Sequence, residues 1–326
     1  MKNKPHASQE LYCQFLLAAQ NNFTATELSS HIDNLSHDDV TRWLSKTKLK
    51  PSYLWQQAKP LIKPQAGYLV CDDSVIGKSR SEKLPLATWQ YSGTEHKVVR
   101  GVGLVTVLWS QDDEHIPIDF RVYAKAQDGY TKNQHFQDMV RLAHHRGLKP
   151  EGVLFDGWYA SQANLTLIQS FNWIWITRLK GNRVVNRLQH LEDLTIPEEG
   201  LIVELKFVGP IKVFKFIATD GDIEYWATNN LDLESQDIRY TGALRWKIEE
   251  YHRGLKQCTG IERCQSRIPR SQRTHIFCSI MAFVSLEKLR LERAISWYEA
   301  KRQIIHEAIS NYLQAPTIPL AFAENA

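Results

Sequence analysis

The chain has 326 residues, 43% apolar and 23% charged, with a formal net charge of +4. That is an ordinary composition for a soluble protein and enough length for one large domain or two smaller ones. No apolar run reaches the ~18–20 residues that span a bilayer, the N-terminus lacks a signal-peptide core, and the five cysteines form no CxxC pair, so the expectation is a cytoplasmic protein with reduced thiols.

Residues 1–63 read as a helical domain. Ser8 to Gln20 forms one helix. Thr24 caps a second, with Glu27 three residues on as in a capping box, and Ser36 caps a third with acids in its first turn. Two short capped helices across a tight turn resemble a helix-turn-helix, which would carry Arg42, Lys46, Lys48 and Lys50 toward DNA; a generic helical bundle fits equally. Pro60 to Pro64 marks a boundary. Tyr68 to Cys71 is a short apolar strand running into Asp72, Asp73 and Ser74, and residues 77–98 read as an irregular polar loop. Val98 to Trp109 is a strong strand, Asp112 to His115 its turn, and Ile116 to Ala124 the next strand, completing a three-strand meander.

A helix follows from Asn133 to His145, closed by Gly147. Gly152 to Phe155 is a buried strand ending in Asp156. Ser161 to Phe171 is helical, and Trp173 to Arg178 is a strand. Residues 182–230 are strand-rich and read as an inserted β subdomain. A helix to Gln257 comes next, then a long one from Arg270 to Trp297 and a last one through Asn311, with residues 296–326 as C-terminal helix and tail.

The helix ending at Gln257 has two faces. Leu244, Ile248, Tyr251 and Leu255 fall within about 60° of each other, and Arg245, Glu249, His252, Arg253 and Lys256 share a second stripe. One carboxylate thus sits among four groups that are or can become cationic. From Arg239 to Arg273 there are nine Lys or Arg against Glu249, Glu250 and Glu262, a local excess of six, the footprint that phosphate backbones seek. Asp72 or Asp73, Asp156 and Glu249 come from separate elements, two at strand ends. Hard carboxylates supplied in this way suit Mg²⁺ or Mn²⁺, and two such ions activate water or a 3′-hydroxyl at a phosphodiester. Asp72 and Asp73 point to opposite faces of a strand, so one of them is the metal ligand.

Three passages resemble the insertion-sequence DDE transposases of the IS-four group, which includes the Tn-five type of cut-and-paste transposase. They are Tyr68-Leu-Val-Cys-Asp-Asp-Ser-Val, Val153-Leu-Phe-Asp-Gly-Trp-Tyr-Ala, and Arg245-Trp-Lys-Ile-Glu-Glu-Tyr-His-Arg-Gly-Leu-Lys. In the family's Tyr-Arg-Glu-Lys signature, Arg stands four before Glu and Lys seven after, as Arg245, Glu249 and Lys256 do here. The resemblance covers roughly residues 65–295 and implies an RNase H-like α/β core over residues 64–295, a mixed sheet with flanking helices and a β insertion before the last catalytic helix. It implies Mg²⁺-dependent cleavage at transposon ends by Asp72, Asp156 and Glu249, and transfer of the 3′-hydroxyl into target DNA. Arg245, Arg253 and Lys256 would hold phosphates, and Trp226 is the nearest candidate for a base contact. The partners implied are double-stranded DNA and a second copy in the synaptic complex, in a bacterial, nucleoid-associated setting. Two departures stand: Gly242 occupies the signature's Tyr position, and the spacing of Trp226 to Thr228 differs from the pattern. A non-catalytic DNA-binding relative and a nuclease without strand transfer remain the alternatives.

Overall fold

The computed structural model describes residues 6–93, 96–218 and 221–315. Four helices come first: α1 (Gln9–Ala18), α2 (Ala25–Ser30), α3 (His37–Lys46) and α4 (Pro51–Ala58). Ser8, Thr24 and Ser36 each accept a hydrogen bond from the backbone N–H three residues on, satisfying a donor that a helix's first turn leaves free. Ser36 and Asp39 complete a capping box. Glu27 instead engages Asn22 and His31.

Next come β1 (Tyr68–Gly77), β2 (Thr88–Ser92), β3 (Lys97–Gln111), β4 (Glu114–Tyr123), α5 (Lys125–Asp128), α6 (Lys132–His145), β5 (Gly152–Phe155), α7 (Gln162–Ser170) and β6 (Trp175–Leu179). A small hairpin of β7 (Val184–Val185) and β8 (Gln189–His190) precedes β9 (Leu201–Leu205), β10 (Gly209–Ile217) and β11 (Ile223–Thr228). Three helices complete the described residues: α8 (Ser235–Cys258), α9 (Pro269–Arg293) and α10 (Trp297–Gln314). Among the described residues, nine strands make one mixed sheet in the order β2-β3-β1-β5-β6-β11-β10-β9, with β4 also on β3. β1, β5 and β6 are parallel neighbours; the other pairings are antiparallel.

The two-residue period of the strands sorts side chains onto two faces. Leu69, Cys71, Val105, Val107 and Trp109 pack with Phe136 and Met139 of α6 and Leu165 and Ile168 of α7. Val70, Leu104 and Leu108 share the opposite core with Leu244, Ile248 and Tyr251 of α8 and Phe277 and Phe283 of α9. The apolar stripe of α8 is therefore what seats it on the sheet. Fully burying one such side chain contributes ~1.5–3 kcal/mol.

Several elements differ from the sequence expectation. β1 runs through both acids to Gly77, because β3 pairs with it along its whole length from Tyr68↔Ser110 to Gly77↔Gly101. Residues 88–92 are a strand, paired with the first residues of β3. The strands expected as a separate inserted subdomain extend the main sheet, β11 pairing directly with β6. Its run Tyr225-Trp226-Ala227-Thr228 is buried throughout, as an interior strand requires. The long helix ends at Arg293, where Ala294 adopts a left-handed backbone (φ 52°), and Ser296 caps the next. The tail beyond 315 lies outside the described residues.

Candidate catalytic site

β1 and β5 run side by side as parallel strands, and their last paired residues are Cys71 and Phe155. The next residue on each is an aspartate, Asp72 and Asp156. Neighbouring strands lie ~4.8 Å apart, so the two carboxylates are placed together where β5 stops. Gly157 keeps β6 close at this point: a Cβ there would stand 2.7 Å from the Arg178 carbonyl oxygen.

Strand alternation separates the two acids of β1. Asp72 is on the face toward α8, and its side chain is 19% exposed. Asp73 is on the α6 face, where it accepts from Lys132 Nζ (2.6 Å) and from the Tyr159 hydroxyl (2.8 Å). Both Asp73 oxygens are thus taken up by groups on that side. Arg245 and Glu249, one turn apart on α8, face Asp72. The Arg245 guanidinium lies between them, with Nη2 3.3 Å from Glu249 Oε1 and Nη1 3.9 Å from Asp72 Oδ2. On the far side Arg178 of β6 bridges Asp156 Oδ1 (3.2 Å) and Glu224 Oε1 (2.6 Å).

The electrostatics follow from this layout. Burial, then the neighbouring charge of Asp73, pushes the Asp72 carboxyl up to about 7, with Asp156 adding to the rise; the Asp73 N–H and Arg245 oppose it. Burial also acts to raise Asp156, but the hydrogen bond and charge of Arg178, with Arg245 behind them, hold it below the usual carboxylate range. His252, in the cationic stripe by sequence, is buried beside Lys256 and held to about 3, so it is neutral at physiological pH. Arg253 is exposed. Lys256 pairs with Glu262 (3.2 Å), which also accepts from the backbone of Gly77 (3.1 Å) at the end of β1.

Among the described residues, no three His, Cys, Asp or Glu side chains gather closely enough to hold a metal ion. The reason is visible: a guanidinium occupies the space between Asp72 and Glu249. The donor set itself fits a hard divalent cation. It is all carboxylate oxygen, and Asp72 is a largely buried acid whose ion-pair partner among the described residues, Arg245, is 3.9 Å away.

Trp226 is placed otherwise than the DNA contact expected of it. It is 6% exposed, its indole N–H donates to Glu224 (2.8 Å), and its ring lies 3.3 Å from where a Gly242 Cβ would be. That ring belongs to the interface of β11 with α8 and presents no face to a base. The packing is close at Gly242, the signature's Tyr position, where even a Cβ would press on the Trp226 ring.

Sequence reasoning missed Arg178, Lys132, Tyr159 and Trp158. An arginine in the otherwise apolar or small run Trp175-Ile-Thr-Arg-Leu was a signal, because a charge in a buried strand needs a partner. Trp158 directly follows the Asp-Gly pair; it is 56% exposed, with its backbone N–H 3.5 Å from Asp156 Oδ2.

A family model described as "DDE superfamily endonuclease" matches residues 6–193, and one described as "Archaeal putative transposase ISC1217" matches residues 127–297. The first span contains Asp72 and Asp156, the second Asp156 and Glu249. No curated protein matches the chain. Among solved structures, the chain is similar to the piggyBac transposase in a cryo-EM structure of its synaptic complex with hairpin DNA. The TM-score is 0.55 and the identity 10%, over 98% of this chain and 77% of that one. At that identity the likeness is one of fold.

Proposed function

The chain belongs to the DDE superfamily endonucleases, and on that premise we propose that it is a DNA transposase of the IS-four kind, cutting transposon ends and transferring the 3′-hydroxyl into target DNA. The observation that supports this most is the placement of Asp72 and Asp156 at adjacent ends of two parallel strands, with Arg245 of α8 between Asp72 and Glu249. Asp72 and Asp156 would hold Mg²⁺ or Mn²⁺, with Glu249 as third ligand once Arg245 turns away. Bound there, the ion supplies Lewis acidity for water or a 3′-hydroxyl and for the leaving oxygen.

The chain's own residues prepare the site. Arg178 keeps Asp156 ionised and fixes its orientation against Glu224. Lys132 and Tyr159 hold Asp73 on the opposite face, so a single acid of β1 faces α8. Arg245, Arg253 and Lys256 line one side of α8 as phosphate contacts. The duplex partner and a second copy in the synaptic complex follow from the same reading. No helix among the described residues is long and apolar enough to cross a membrane.

The test is cleavage of DNA carrying the element's own ends, with Mg²⁺ and with Ca²⁺. Asp156→Ala and Glu249→Gln are expected to lose cleavage by at least about a hundredfold, the scale of removing a main catalytic electrostatic group, while still binding duplex. Cutting at the wild-type rate by either variant would remove these acids from the site. Cleavage without joining to target would favour the nuclease alternative.

A further inference from the structure

A second set of cations, outside the acid site, lies where the N-terminal region meets α9. A groove of about 490 Å³ is lined by Thr47, Lys48, Gln127, Arg270, Arg273 and Thr274 among others, and its lining holds no Asp or Glu. Lys48 and Arg270 are exposed, and neither forms an ion pair with a described residue. Arg273 is half-buried and donates to the amide oxygen of Gln127 (3.3 Å). Asp128, whose charge reaches Arg273, is engaged with His135 (3.6 Å) and the Tyr130 N–H (2.9 Å).

This is unlike a solvated basic helix face, where cations alternate with acids, as Lys288 and Glu292 do further along α9. Here one cation from the connection between α3 and α4 and two from α9, over two hundred residues apart in sequence, line one concave surface without a carboxylate. Such a surface suits a polyanion.

The groove is also near the acids. Gln127 touches Arg273, and Lys132 touches Asp73. Those two residues are five apart in the chain, so their Cα atoms are at most ~18 Å apart. That is on the order of five backbone steps of ~3.4 Å along one DNA strand.

We propose that this groove holds the phosphodiester backbone of double-stranded DNA, beside the segment presented to Asp72 and Asp156. The inference rests on the reading of the chain as a DNA-cleaving enzyme. It adds a contact surface built jointly by the N-terminal region and α9.

The test uses the full chain and a fluorescent duplex, followed by anisotropy over a salt series. The variant is Lys48→Gln with Arg270→Gln, both exposed, and thermal melts check that it folds. Two lost phosphate contacts should lower the slope of log K against log salt by about 1.8 and weaken binding roughly thirtyfold at 0.15 M salt. Lys288→Gln, an exposed lysine further along α9 that pairs with Glu292, should keep the wild-type slope. In the wild type, added duplex should slow amide exchange over residues 45–49 and 268–274. An unchanged slope and affinity in the double variant overturns the groove assignment alone. A wild-type chain that binds no duplex overturns it together with the functional reading.

Discussion

Asp72 is the residue at which the physical cost of the site is concentrated. Its carboxyl sits near 7 because burial and Asp73 disfavour the charge more than the Asp73 N–H and Arg245 favour it. In the unfolded chain the same group titrates near ~3.9. Between those values the folded protein keeps a proton that the unfolded chain has released, so stability falls as pH rises through that window and the full penalty is present above about 7. Asp72→Asn removes the titration and leaves a neutral side chain of the same size. The variant is therefore expected to melt above wild type at pH 8 and close to it at pH 4, with about 2–4 °C for each kcal/mol relieved. Parallel melts at the two pH values check this; a difference that does not change with pH would mean Asp72 is not the strained acid. Asp156 has the opposite sign. Its depressed carboxyl stabilises the fold above its unfolded value, and that contribution is lost as pH falls through the folded one. Which of Asp72 and Asp73 faces α8 was open to strand alternation only as a choice of two. The choice is decided by Lys132 and Tyr159, whose positions depend on how α6 and the turn after β5 fold back on the sheet.

At the scale of elements, the ends of α1 and α8 are joined by one side chain of α10. Lys301 is buried, and its ammonium donates to the carbonyls of Leu16 (3.4 Å), Ala19 (2.8 Å) and Cys258 (2.7 Å). Helix C-termini leave such carbonyls without intrahelical partners. Lys301→Met preserves the volume and strands these acceptors away from water. A loss of roughly 2–4 kcal/mol is expected, since each buried unsatisfied group costs ~1–3 kcal/mol and some relaxation follows. Urea denaturation measures it, and a loss under about 0.5 kcal/mol, the range of an ordinary surface substitution, would refute the joint cap. Nothing local announced this role: a lysine in the middle of a polar helix looks solvated until α1 and α8 are seen to end beside it. Features set by neighbours in sequence were legible. Ser8, Thr24, Ser36 and Ser161 start helices because a hydroxyl three residues before a free N–H is a local matter. The apolar stripe of α8 was legible for the same reason. β2 was not, because Thr88-Trp-Gln-Tyr-Ser leaves Trp89 and Tyr91 exposed and its pairing is with β3. The seat of Trp226 was not legible either, because its neighbour, Gly242, is on another element.

For the whole molecule, the N-terminal helices share a core with helices far beyond the boundary expected at residues 60–64, and composition alone cannot say what a helix's apolar face rests on. Tyr12, Phe15, Leu16, Val40 and Leu44 of α1 and α3 share one core with Ile276, Phe277 and Ile280 of α9. The Tyr12 hydroxyl is 2.9 Å from His275 Nδ1, and that ring's Nε2 is 3.0 Å from the Gly260 carbonyl, both buried. α9 in turn supports α8 and so the Glu249 side of the acid cluster. Removing residues 1–63 would bare the apolar face of α9 and leave His275 without Tyr12. Each large side chain left facing water forfeits ~1.5–3 kcal/mol of burial, and Ile276, Phe277 and Ile280 together forfeit about 4.5–9 kcal/mol, comparable with the ~5–15 kcal/mol by which domains are stable. The fragment 64–326 is therefore expected to be insoluble, or to bind a hydrophobic dye and lack a cooperative melt. Soluble expression followed by calorimetry tests it. A fragment that melts cooperatively near the wild-type temperature would show that the N-terminal helices are an appendage, and that α9 holds Glu249 in place without them.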